Sequence, residues 1–253
     1  MAQPTLKEQL EKGNTTVGTF QSIPAAAIAE MTGLAGMDFT ILDQEHGPLT
    51  AESSLPLCAA AERGGASPIV RVRENSPSEI QRALDVGAAG VEIPQIETRE
   101  DAEAAVAAAR FDPLGERGLS PCVRAGGYDG SDNYTTEQNE ETLIAIHVEG
   151  QGGLNNLDGI LDVEGIDVVF LGPYDLSQSL GIPGQVTGER VEETMEEVCS
   201  RARNAGKIVG TYADTPELAN RWIDVGVQYV AISVDATLLK GRFAEVADAV
   251  DTS

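Results

Sequence analysis

The sequence predicts an α/β fold closed into a (β/α)8 TIM barrel, on three observations. Eight short β-branched or apolar runs alternate with helical stretches. The 253 residues lie close to the roughly 250 that such a barrel uses. No G-x-G-x-x-G turn follows the first run, which weakens the rival open, doubly wound sheet. Strands that alternate with helices call for parallel pairing through right-handed crossovers.

Taken in order, each run is bounded by Gly, Pro or Asp. Thr16–Phe20 leads into a helical pattern over Pro24–Leu34 that Gly36 can end. Asp38–Leu42 and Pro68–Val72 follow, the second feeding a helix over Ser78–Val86 closed by Gly87. Gly90–Ile93 precedes a helix over Glu100–Ala109. The connection from Arg110 to Glu141 is the one long one, and structureless loops of that size in compact domains tend to be functional. Leu143–Val148 comes next, then Val168–Leu171, which runs into a Gly-Pro turn able to start a short helix. Lys207–Thr211 follows a helix over Glu189–Asn204 closed by Gly206, and Gln228–Ile232 follows Thr215–Val225 closed by Gly226. With no linker or low-complexity tract, residues 1–253 read as a single domain.

Composition narrows the function. A chain this long buries about three quarters of its unfolded surface and needs no disulfide staple. Cys58, Cys122 and Cys199 are far apart and form no C-x-x-C pair, so a reducing cytosol is expected, and a disulfide framework or structural zinc is not. Met1–Gln21 has no apolar run with a basic flank, and no stretch approaches 18 apolar residues, so neither secretion nor a membrane span is expected. The formal charge is −24, from 17 Lys+Arg against 41 Asp+Glu. Such a field repels nucleic acid. The acids are dispersed along helical segments, and only four of the basic residues are lysines against thirteen arginines. That pattern points to a hydrated acidic surface suited to high salt, a halophilic protein, with an ordinary acidic enzyme as the plainer alternative.

In barrels the chemistry sits on the loops after the strands. There stand Asp43, Glu45 and His46 after the second strand, Arg71 and Arg73 at the end of the third, His147 and Glu149 on the fifth, and Gly172-Pro173-Tyr174-Asp175-Leu176-Ser177 after the sixth. By the two-residue period Leu143, Ala145, His147 and Glu149 share one face and Ile144, Ile146 and Val148 the other, so Glu149 points into the mouth. Adjacent strands lie about 4.8 Å apart, so Glu149 and Asp175 can reach one cation, and all-oxygen ligation suits Mg²⁺, Mn²⁺ or Co²⁺. The plainer alternative has Glu149 capping a loop and Asp175 capping a helix. His46 is a candidate base that Asp43 or Glu45 could orient, and otherwise a loop residue. His147 is a candidate substrate contact. Arg71, on an otherwise apolar strand, suits a carboxylate or developing oxyanion, or else pairs with a neighbouring acid. The Gly172-Pro173 turn, with Tyr174 and Asp175, offers helix N–H groups to an anion.

Several motifs together resemble the HpcH/HpaI family of class II pyruvate aldolases. They are Asp43-x-Glu45-His46-Gly47, Arg71-Val72-Arg73, Ala83-Leu84-Asp85-x-Gly87-Ala88-x-Gly90, Gly115-Glu116-Arg117-Gly118, Glu149 and Gly172-Pro173-x-Asp175-Leu176-Ser177. The resemblance covers nearly the whole chain and implies a barrel of the phosphoenolpyruvate/pyruvate type. It also implies a homohexamer, a trimer of dimers, whose last helix packs on a neighbouring subunit. The implied reaction is reversible cleavage of a 4-hydroxy-2-oxo acid to pyruvate and an aldehyde. By the same resemblance Glu149 and Asp175 hold the metal, Arg71 stabilises the enolate oxygen, His46 takes the C4 hydroxyl proton, and Asp85 strengthens that base. Backbone N–H groups of Tyr174 and Asp175 hold the pyruvate carboxylate. Asp85 ends a helix away from His46, so its implied role suggests a contact between subunits. The chain departs from the family at His147, where Gln is usual, at Tyr174, where Ala is usual, and at Phe20, where many members have Trp.

None of the lysines is placed for a Schiff base: Lys7 and Lys12 precede the barrel, Lys207 starts a strand and Lys240 lies in the last helical stretch. A coenzyme A ester lyase is the enzymatic alternative, weakened by the acidic mouth and its want of basic residues for a nucleotide. A phosphate-binding isomerase would want a Gly-rich loop where Tyr212-Ala213-Asp214 stands. A non-catalytic barrel would have no reason to keep His46, Arg71, Glu149 and Asp175 together.

Overall fold

Eight parallel strands close on themselves in chain order, β1 pairing with both β2 and β8. They are β1 (Thr16–Gln21), β2 (Phe39–Asp43), β3 (Ser67–Arg71), β4 (Gly90–Ile93), β5 (Leu143–His147), β6 (Val168–Leu171), β7 (Ile208–Ala213) and β8 (Tyr229–Val234). The computed structural model describes residues 4–250. The three outermost residues at each end, which the reading of 1–253 as one domain includes, lie outside the described residues. All eight expected strands form, with ends displaced by at most two residues.

Helices run back along the outside: α1 (Leu6–Glu11) ahead of β1, α2 (Ala26–Leu34), α3 (Ala51–Gly64), α4 (Pro77–Asp85), α5 (Arg99–Ala109) and α6 (Tyr134–Glu141). After β5 come α7 (Gln151–Asn155) and α8 (Leu157–Leu161), then α9 (Pro173–Ser179), α10 (Glu189–Asn204), α11 (Pro216–Val225) and α12 (Asp235–Ala249). The alternation expected of the fifth strand holds. Leu143 and Ala145 belong to the inner cluster with Phe39, Ile69, Phe170 and Tyr229. Ile144, Ile146 and Val148 belong to the outer layer between sheet and helices. Inside, Phe39 stacks on Tyr229 at 4.1 Å between ring centroids. Gly210 makes room for this, since a Cβ there would meet the Tyr229 and Phe170 rings within 3 Å. Leu6 and Leu10 of α1 join the same inner cluster, closing the end where the strands begin.

The long connection differs from expectation. It is not structureless, since it holds a 3-10 turn at Arg124–Gly126 and α6. It joins the end of α5 to the start of β5, so it lies at the end opposite the strand C-termini. Arg117 pins it there, donating to Asp85 Oδ1 at 2.8 Å, and Arg124 pairs with Glu62 and donates to the Gly87 carbonyl.

Candidate active site

At the C-terminal mouth of the barrel lies a cavity of about 410 Å³, to which seven of the eight strands contribute from their ends or the loops after them. Asp43, His46, Arg71, His147, Glu149, Gly172, Pro173, Tyr174 and Asp175 all line it. Of the expected site residues only Asp85 is elsewhere. It is the last residue of α4, which runs antiparallel to the strands, so it sits at the opposite end of the barrel, paired with Arg117.

Arg71 forms the cationic wall. Its Nε and Nη2 donate to the two oxygens of Asp43 at 2.9 and 2.7 Å, and Nη1 lies 3.3 Å from Glu45 Oε2. The guanidinium also sits 4.6 Å above the Phe20 ring. Register explains the clamp, because Asp43 and Arg71 are partners at the ends of β2 and β3. Burial alone would raise the Asp43 carboxyl, but the hydrogen bonds and charge of Arg71 hold it below the ordinary value. Glu45 is raised, by burial and by the nearby Glu149 charge, against the pull of Arg71.

Asp43 therefore orients Arg71 rather than the His46 ring, contrary to one expectation. It reaches His46 only through the backbone, its Oδ1 accepting the N–H groups of Glu45 and His46 at 3.1 and 3.2 Å. Glu45 Oε2 is the acid near the ring, 3.9 Å from Nε2. The His46 side chain is 68% exposed and free to turn toward a bound molecule.

The acidic wall faces it. Glu149 Oε1 accepts the Gln95 N–H at 3.2 Å, so the carboxylate does tie down a loop, and Oε2 lies beside Gly172 and 3.3 Å from His147 Nδ1. Gly172, not Asp175, is the N-cap of α9, with no side-chain cap bond, and Asp175 stands in the first turn. A Cβ at Gly172 would lie 2.7 Å from Glu149 Oε2 and 3.7 Å from Asp175 Oδ2. The two carboxylates thus converge on a space that only glycine leaves open. Among the described residues no group of three or more His, Cys, Asp and Glu side chains is arranged to enclose a metal ion. Two carboxylates with open positions around them suit a hard divalent cation that also binds water and substrate.

His147 lines the cavity, but both of its ring nitrogens face carboxylates. Its ring is buried, stacked on Phe170 at 4.5 Å, with Nε2 3.1 Å from Glu92 Oε2 and Nδ1 3.3 Å from Glu149 Oε2. Burial opposes its positive charge, but the two carboxylates prevail and push the imidazole up to about 9. In return His147 holds Glu149 below the usual carboxylate range against its burial.

Several residues were not singled out from sequence. Ser22, Phe170, Tyr212 and Val234 also line the cavity, and Tyr174 and Tyr212 both donate to Asp214 at 3.0–3.1 Å. Gln95 has φ 57°, a conformation that costs energy for a non-glycine residue and here aims its N–H at Glu149. Glu92 was visible only as a carboxylate inside an apolar strand.

Comparison with known proteins identifies the family. The HpcH/HpaI aldolase/citrate lyase family matches residues 16–240. The 2-keto-3-deoxy-L-rhamnonate aldolase of Salmonella paratyphi B is 38% identical over 233 residues, covering 92% of this chain and 87% of that protein. The crystal structure of an HpcH/HpaI aldolase/citrate lyase family protein from Burkholderia cenocepacia J2315 superposes with a TM-score of 0.92 at 30% identity, covering 96% of this chain and 97% of the other. The HpcH/HpaI aldolase from Desulfitobacterium hafniense DCB-2 gives 0.91 at 30% identity, with 98% and 97% covered. The chain is a carbon–carbon lyase and belongs to the HpcH/HpaI aldolase/citrate lyase family.

Proposed function

We propose that this chain is a class II aldolase that reversibly cleaves a 4-hydroxy-2-oxo acid of the 2-keto-3-deoxy sugar acid type into pyruvate and an aldehyde. The observation that carries the proposal is the meeting of Glu149 and Asp175 beside Gly172, across one cavity from the Arg71–Asp43 clamp.

Glu149 and Asp175 would hold the divalent ion, Mg²⁺, Mn²⁺ or Co²⁺. When bound, such an ion supplies Lewis acidity at the keto oxygen of a 2-oxo acid. Pro173 has no N–H, so the Tyr174 and Asp175 N–H groups are the first that α9 can offer to the substrate carboxylate. His46 takes the proton of the C4 hydroxyl. The C3–C4 bond then breaks, its electron pair passing into the pyruvate enolate as C4 becomes the aldehyde carbonyl. Arg71, held fast by Asp43, donates to the enolate oxygen and so favours the state in which charge has developed there. Phe20, Tyr174 and Tyr212 form the wall toward the aldehyde.

The lysines support this class of mechanism over a Schiff base. Lys207 Nζ donates to the Val163 and Ile166 carbonyls, and Lys7 pairs with Asp167, both where the strands begin. Lys12 pairs with Glu8 and Lys240 is exposed on α12.

Four further points belong to the proposal. Residues 1–253 act as one aldolase domain. The molecule works in the cytoplasm as a salt-adapted enzyme; among the described residues no helix is long and apolar enough to cross a membrane. It assembles as a homohexamer through α12. Asp85 acts on the base by meeting a neighbouring subunit's His46 in that assembly.

EDTA is expected to abolish pyruvate release from a 2-keto-3-deoxy sugar acid, read by coupling to lactate dehydrogenase, and Mn²⁺ or Mg²⁺ to restore it. Full activity in chelator would reject the proposal. Borohydride added with pyruvate is expected to leave the protein mass unchanged.

A further inference from the structure

One fully buried carboxylate inside the barrel takes no part in the chemistry above. Glu92 lies on β4, fully buried, its register partner on β5 being Ala145. Its Oε1 accepts the Tyr229 O–H at 2.8 Å and its Oε2 faces His147 Nε2 at 3.1 Å. The other ring nitrogen of His147 faces Glu149 Oε2 at 3.3 Å. Tyr229, Glu92, His147 and Glu149 thus form an unbroken line from β8 across the barrel interior to the mouth.

A carboxylate in such a place is costly to strip of water, and it is tolerated here because Tyr229 and His147 satisfy both of its oxygens. What the carboxylate achieves is orientation. His147 lies flat on Phe170, and stacking fixes the plane of the ring but not which of its edges faces the mouth. An acceptor beneath Nε2 settles that edge and leaves Nδ1 turned to Glu149. Glu149 is then held at both oxygens, by the Gln95 N–H on one and by the ring on the other.

We infer that Glu92 is a positioning residue for Glu149, acting through the His147 ring to hold that carboxylate in the orientation from which it and Asp175 share a divalent ion. The inference rests on the metal reading under the proposed function. Partners that orient a metal ligand from behind change affinity by about 10- to 100-fold when removed.

The test is Mn²⁺ binding to the EDTA-stripped, full-length protein, measured by calorimetry beside the thermal midpoint of each variant. Glu92→Leu leaves the buried Tyr229 O–H and His147 Nε2 without their partner, so its midpoint should fall, and Mn²⁺ binding, measured well below that midpoint, is expected to weaken about 10- to 100-fold. Glu92→Gln keeps an acceptor for Nε2 and should restore affinity, which loss of packing would not allow. In a His147→Gln background, Glu92→Leu should add no further loss, because the line is already cut. If Glu92→Leu does not fold, Glu92→Met, unbranched and more adaptable, replaces it under the same criteria. Wild-type affinity in the folded variant, or additive losses in the double variant, overturns the inference and leaves the metal reading standing. A wild type that binds no Mn²⁺, or binding that survives Glu149→Ala, removes the metal reading and this inference with it.

Discussion

Arg71 is only as useful as its orientation, and Asp43 supplies that orientation through two short hydrogen bonds, the pair itself being almost closed to water. Asp43→Asn removes the charge and one of the two acceptors while nearly keeping the shape. Breaking a buried pair from one side costs about 3 kcal/mol, and an enolate donor displaced by about 1 Å costs about 100-fold in kcat. Both losses are expected, read by urea unfolding and by steady-state kinetics. The pH dependence follows from the lowered Asp43 carboxyl. Its stabilisation is complete above the unfolded carboxylate value of about 3.9 and disappears as pH falls through the lower folded value. The gap in stability between wild type and variant should therefore be full at neutral pH and close only in acid. His46, Arg71, Glu149 and Asp175 were legible in the sequence because each is a polar residue at the end of an apolar run, where a barrel keeps its chemistry. Glu92 was not, since nothing in one sequence tells a buried mid-strand carboxylate from a misjudged strand. Nor was the occupation of His147 by two carboxylates, which depends on the register of β4 against β5.

Elements were legible where periodicity and a stop signal coincided, as in α10 and α11, and obscure where a local rule was broken. α3 carries Pro56 in its interior, which interrupts the usual helical pattern, yet it forms behind a Thr50–Ser53 capping box and ends at left-handed Gly65. α1 had its own signals, Thr5 accepting the Glu8 N–H and Leu6 with Leu10 on one face, but it precedes the barrel that drew the alternation argument. α12 is the element whose sequence asks for something the single chain does not supply. Of its residues only Asp235 is buried. Leu239, Phe243, Val246 and, just past its end, Val250 follow the spacing of one helix face, and the last three are 69%, 51% and 59% exposed. An apolar stripe of this kind on an outer helix calls for a partner surface, and a second copy of the chain is the partner the family resemblance implies. Phe243→Asp is expected to convert the assembly to smaller species by light scattering while circular dichroism stays that of a folded barrel. An unchanged mass would remove α12 from the interface.

At the scale of the whole molecule the governing quantity is charge. If every one of the 17 basic side chains neutralised one acid, 24 carboxylates would still be left without a counter-charge in the chain. Many of the basic groups are committed in this way, as in Arg73–Glu79, Arg99–Glu103, Arg201–Asp158 and Arg221–Glu192. The remainder repel one another across the surface. At physiological salt, with a screening length of about 8 Å, neighbouring acids along a helix such as α10 still feel each other, and at 1 M, where it is about 3 Å, they scarcely do. Screening also weakens the exposed ion pairs, but each of those contributes only about 0–1 kcal/mol, and uncompensated acids outnumber them. Thermal midpoint is therefore expected to rise steeply from low to molar KCl. Replacing the exposed acids Glu193 and Glu196 of α10 with Gln should raise the low-salt midpoint and flatten the slope, because the repulsion that salt was screening is reduced. A midpoint that fell with KCl in the unmodified protein would show that attraction, not repulsion, dominates this surface, and the salt-adapted reading would be lost.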